Sequence, residues 1–97
     1  MLTGKQKRFL RSMANELSPG LQIGKEGLTE SVATELDGAL EAHELVKIRV
    51  LPKAVADRDE LASSLSEAAH AEIAQTIGNI IVLYRRASQK PILELPQ

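Results

Sequence analysis

The sequence predicts one small domain of α/β class, α+β-like in style, with three helices packed on a four-stranded mixed sheet in the order α-β-α-β-α-β-β. Three observations predict it. Stretches with apolar residues at helical spacing alternate along the chain with short runs of strand pattern. The second and third of those runs each follow a helical stretch, so crossovers should make some of their pairings parallel and right-handed. The third is the length of 97 residues, which leaves room for one core and no second domain.

Taken in order, the first helix opens at Thr3, a good N-cap, and runs to about Glu16. Phe9, Leu10, Met13 and Leu17 form its apolar stripe, while Lys5, Lys7, Arg8 and Arg11 take much of the remaining circumference. Basic residues in a first turn oppose the helix dipole, so their placement hints at a partner. Ser18-Pro19-Gly20 ends the helix, and Leu21-Gln22-Ile23 reads as a short strand. The glycine-bounded loop Gly24-Lys25-Glu26-Gly27 then leads to a second helix capped by Thr29 or Ser31. Leu28, Val32, Leu36, Ala39 and Leu40 face inward there, and Glu30, Glu35, Asp37 and Glu41 face outward.

Leu45 to Leu51 alternates as a strand, with Val46, Ile48 and Val50 on one face and Lys47 and Arg49 on the other, until Pro52 ends it. Asp57 and Glu60 open a third helix whose inward residues are Leu61, Leu65, Ala68 and Ala69. Glu72 to Ile77 is a third strand, turned by Gly78-Asn79 into Ile80 to Tyr84 as a hairpin. The uniformly apolar Ile80–Tyr84 run fits a strand that is central or covered on both faces. The ordered core is expected over about 3–86, with residues 87–97 as an extended, partly ordered tail.

Composition excludes several classes of function. The chain has no cysteine, so it has neither a disulfide framework nor a thiolate metal site. Its two histidines, His43 and His70, lie near helix ends, where a histidine commonly serves the dipole, and they make no zinc constellation. No serine or histidine is placed for nucleophilic catalysis, so the expectation is a non-enzyme without a cofactor. One Phe, one Tyr and no Trp leave no aromatic platform for stacking bases. Met1-Leu2 is followed by Gly4, Lys5, Lys7, Arg8 and Arg11 in place of an apolar leader, and no apolar run approaches a membrane span. A cytoplasmic, monomeric domain is the expectation.

The net charge of −1 conceals a segregation along the chain. Residues 1–25 carry five bases against one acid, residues 26–44 carry six acids and no base, and residues 45–53 are basic again. A polarised surface can therefore face an anionic partner despite a neutral total. The GKEG loop sharpens this reading. A glycine-bounded loop entering a helix N-terminus brings backbone N–H groups against a phosphate without Cβ interference, as KH-type domains do. Lys25 adds a cation to that loop and Glu26 an acid. With the first helix, Lys47, Arg49, Arg85 and Arg86 could continue a track for a phosphate backbone. Four or five contacts to single-stranded phosphates would give a salt-dependence slope of about −3.

The stretches LTGKQKRFLRSMA (2–14), IGKEGLTESV (23–32), ALEAHELVKIRV (39–50) and IGNIIVLYR (77–85) resemble the bacterial YhbY proteins. These are stand-alone members of the CRM (chloroplast RNA splicing and ribosome maturation) domain family. The similarity extends to the closing Ile92-Leu93-Glu94-Leu95-Pro96. It implies a compact RNA-binding domain related in fold to the C-terminal domain of bacterial translation initiation factor three. It further implies a role on precursors of the large ribosomal subunit; plant relatives serve group II intron splicing. The family's G-x-x-G loop maps onto Gly24, Lys25, Glu26 and Gly27, and its basic helix onto Lys5, Lys7, Arg8 and Arg11. Large-subunit ribosomal RNA is the expected partner, with ribosomal proteins as further ones. A competing reading makes the acidic second helix, through Glu30, Glu35, Asp37 and Glu41, a docking face for a basic protein. An oligomeric scaffold built on an exposed sheet edge is a third.

Overall fold

The computed structural model describes residues 2–52, 57–88 and 91–96; Lys53 and positions 89, 90 and 97 of the expected tail lie outside the described residues. The elements are α1 (Gly4–Ala14), β1 (Leu21–Ile23), α2 (Glu30–His43), β2 (Leu45–Val50), α3 (Arg58–Ala69), β3 (Glu72–Ile77) and β4 (Ile80–Tyr84). Each helix starts where a short polar side chain can satisfy its first free N–H groups. Thr3 and Gln6 form a reciprocal capping box on α1. Thr29 accepts from the Val32 N–H at 3.2 Å on α2, and Asp57 from the Glu60 N–H at 2.9 Å on α3.

The sheet order is β1-β2-β4-β3. β1 and β2 are parallel across the α2 crossover, while β4 is antiparallel to both β2 and β3. The second crossover does not pair β2 with β3, because β4 lies between them. Burial explains the insertion. Ile81, Val82, Leu83 and Tyr84 are all buried, so the strand that is apolar on both faces takes the centre and amphipathic β3 the edge.

The two sheet faces carry separate cores. On one, α2 and α3 bring Leu36, Leu40, Leu61 and Leu65 against Val46, Ile48, Val50, Ile81 and Leu83. On the other, α1 lays Leu10 and Ala14 on Leu45, Ala74, Val82 and Tyr84, and Leu93 and Leu95 of the C-terminal segment join them. That segment is tied to the domain by Glu44. Its carboxylate is fully buried and accepts N–H bonds from Ala87 at 2.6 Å, Ile92 at 2.9 Å and Leu93 at 2.6 Å.

Two element details differ from the sequence reading. α1 stops at Ala14, short of Glu16, and Leu17 leaves the stripe to stand 40% exposed. The chain tightens there into i→i+3 bonds, Glu16 N–H to Met13 and Leu17 N–H to Ala14. In α3 the buried arc is Leu61, Ala62, Leu65 and Ala69, and Ala68 is exposed on its flank. His70 closes that helix in the left-handed region at φ 54°, its backbone N–H donating to Glu67 and Ser66.

Candidate nucleic-acid interface

Hydrogen bonds gather three turns at the end of the sheet where β1 and β2 finish. The Leu51 N–H donates to the Ile23 carbonyl at 2.8 Å, which seats the GKEG loop beside the end of β2. The Val50 N–H donates to Asn79 at 2.7 Å, which brings in the β3–β4 turn. Arg58, in the first turn of α3, donates from Nη1 to the Gly78 carbonyl at 3.0 Å. The loop closes on itself through the Gly27 N–H to the Gly24 carbonyl at 3.1 Å. Gly27 is buried at φ +65°, where an L side chain is strained, while Lys25 and Glu26 are exposed at the loop tip.

From this loop the α1 face of the sheet continues outward. Register pairs Gln22 with Arg49, Arg49 with Ile80, and Ile80 with Ile77, so these four side chains share one row on that face. The next row, Lys47, Val82 and Gln75, already lies towards α1. Arg49 is exposed, and so are Lys5, Arg8 and Arg11 on α1, with Lys7 half-buried. Arg86 is exposed at the far end and lines a cleft with Gln6 and the C-terminal segment. Arg49 and the α1 cations thus lie on the α1 side of the sheet, with Lys25 at the loop tip at one end and Arg86 beside Gln6 at the other.

Two of the sequence-selected cations do other work. Lys47 Nζ donates to the carbonyls of Ala14 and Leu17, each at 3.1 Å, closing the C-terminal end of α1 onto the sheet. Arg85 bonds Asp37 at 2.7 Å and Glu41 at 3.3 Å and also donates to the Ala69 carbonyl, joining the last turns of α2 and α3. Its side chain is 17% exposed. Lys47 and Arg85 therefore belong to the scaffold, which neither the alternation of β2 that selected Lys47 nor the position of Arg85 just after the apolar run could show.

Among the described residues no group of three His, Asp or Glu could hold a metal ion. An open, largely apolar pocket of about 450 Å³ lies between the end of α1, α2 and β2, lined by Met13, Leu17, Ala39, His43, Leu45 and Lys47 among others. The fully buried Glu44 has its carboxylate filled by backbone donors. Burial alone would push it up, but the three N–H bonds and nearby Arg86 outweigh that and hold it below the ordinary glutamate value.

The profile of the CRS1 / YhbY (CRM) domain matches residues 2–85. The chain belongs to this family. Over 96 residues this CRM domain is 45% identical to a protein of Bacillus subtilis named as the probable RNA-binding protein YqeI, covering 99% of this chain and 100% of that one. It is 40% identical to an RNA-binding protein of Haemophilus influenzae, with coverage of 99% and 96%. The solution structure of the hypothetical protein SAV1595 from Staphylococcus aureus superposes on the CRM domain with a TM-score of 0.83. The two are 48% identical, and the match covers 99% of this chain and 100% of that one. The resemblance read from the four sequence blocks and the expected three-helix, four-stranded fold are both borne out.

Sequence reading passed over Gln22, Ile77 and Ile80 in the CRM domain. Alternation in β3 puts Ile73, Gln75 and Ile77 on one face. A β-bulge between Ile73 and Gln75 breaks that pattern and moves Ile77 to the α1 side.

Proposed function

We propose that this protein is a non-enzymatic RNA-binding protein of the bacterial cytoplasm that associates with precursors of the large ribosomal subunit and assists their assembly. It grips the backbone of structured ribosomal RNA through α1 and the GKEG loop. The observation that carries this reading is the sorting of charge by the fold. Arg49, Arg8 and Arg11 are exposed on the α1 side of the sheet, with Lys25 exposed at the loop tip and Arg86 at the far end beside Gln6. Two acids of α2, Asp37 and Glu41, are held against Arg85 on the opposite side of the sheet. The relatives named as RNA-binding proteins support it. Phosphate contacts position such a domain on RNA, and the glycines let the loop backbone approach closely. The engagement of Asp37 and Glu41 weakens the competing idea that α2 docks a basic protein.

The test is binding to large-subunit ribosomal RNA fragments as a function of salt, with duplex DNA as control. The expected slope of log affinity against log salt is about −3. Replacing Lys5, Lys7, Arg8 and Arg11 by Gln should weaken binding and flatten that slope. Unchanged affinity in this variant would remove α1 from the interface.

A further inference from the structure

The row Gln22–Arg49–Ile80–Ile77 at the open end of the α1 face combines features that phosphate gripping does not require. Ile77 is 58% exposed and Ile80 is half-buried, so β3 and β4 present aliphatic surface to water beside the exposed Arg49. The bulge between Ile73 and Gln75 places Ile77 there, and bulges characteristically re-aim one side chain. Strand spacing makes the four-residue row about 14 Å long. One end lies beside the GKEG loop, and Arg49 stands between that end and the two isoleucines, so a phosphate flanking a bound base on that side would meet positive charge.

We propose that this row seats an unpaired nucleotide of the bound RNA, and that the protein therefore selects RNA with an unpaired base next to a helix over continuous duplex. This inference rests on the RNA-binding reading above. Ile77 and Ile80 cover one face of the base, an aliphatic substitute for the aromatic side chains the chain lacks. Arg49 pairs with a flanking phosphate. The Gln22 carboxamide, which both donates and accepts, reads an edge of the base. The exposed Arg49 next to the aliphatic pair favours a polyanion as the occupant over a second copy of this chain, which would bring the same cation.

The experiment uses the full chain and two RNA hairpins of equal length, one fully paired and one with a single unpaired nucleotide in the stem. The wild type is expected to bind the second about tenfold more tightly, the scale of one base contact. Ile77→Ser, at a solvent-facing position, should abolish that preference while the fully paired hairpin is bound as before with the same salt slope. Arg49→Gln should weaken binding to both hairpins and flatten the slope. Equal wild-type affinity for the two hairpins overturns the inference and leaves the RNA-binding reading standing, as does a preference that survives Ile77→Ser. Binding to neither hairpin overturns both. A self-associating wild type that Ile77→Ser renders monomeric, with the RNA preference intact, also overturns it and makes the row a contact between copies.

Discussion

Glu44 shows how much a single side chain can organise here. It follows α2 at φ 64°, unusual for a residue with a Cβ, and its carboxylate holds the C-terminal segment through three N–H groups. Nothing in the sequence separates this acid from its neighbour Glu41, because the donors come from more than 40 residues away. Removing the charge leaves buried donors poorly satisfied, so Glu44→Gln should cost about 1–3 kcal/mol, read from denaturant unfolding. The folded pKa is lowered, so the stability Glu44 contributes is fully present above about pH 4.3, the unfolded value. It is lost as pH falls through the lower folded value, and Glu44→Gln should lack this part of the acid profile. Tyr84 shifts the other way: its burial raises the phenol's pKa, and the Glu44 charge adds to the effect. Gly27 is the second decisive residue. A Cβ there would meet Leu61 Cδ2 at an ordinary 3.5 Å, so the obstacle to substitution is the backbone angle and not space. Gly27→Ala should therefore cost about 1–2 kcal/mol without unfolding the domain. Gly27→Val should reduce RNA binding by more than its loss of stability explains; a melted domain would assign the glycine to turn geometry alone.

Among the elements, α1 shows how a helix is held by residues distant in sequence. It packs by Leu10 and Ala14, and its last carbonyls are closed by Lys47 from β2. Lys47→Met keeps the apolar stem and removes the donor. At this half-buried position it should lower stability by about 1 kcal/mol, shift the urea midpoint with an unchanged m-value, and speed amide exchange in α1 more than in α2. The helices and strands themselves were legible because each has its own local signal, such as the Thr3, Thr29 and Asp57 caps or the alternation of Val46, Ile48 and Val50. The order of the strands followed less directly: the apolar run of β4 announced a central strand, but the crossover pattern did not say that β4 would separate β2 from β3. The row holding Ile77 was illegible. A bulge inserts one residue without any Gly or Pro to mark it, and every side chain beyond it changes face. The same holds for the division of labour among cations, since Arg85 and Arg86 are adjacent in sequence and only the fold turns the first towards Asp37 and Glu41.

At the scale of the molecule, a chain of net charge −1 becomes a surface with two characters, because tertiary contacts neutralise some cations and leave others exposed. This division yields a prediction that composition alone cannot make. Each cation that contacts RNA phosphate contributes about 0.7 to the magnitude of the salt slope, whereas a cation satisfied within the fold contributes none. Lys25→Gln combined with Arg49→Gln should therefore bring a slope of about −3 to about −1.6, with little change in melting temperature. Arg85→Gln should do the reverse. It leaves Asp37, Glu41 and the Ala69 carbonyl without their shared donor, so the domain melts lower while the slope of the folded protein is preserved. The two variants lose like charges from a small protein, so a response to net charge alone would flatten the slope in both. A separation of slope from stability between them would show that position in the fold, and not the number of positive charges, determines how this protein meets RNA.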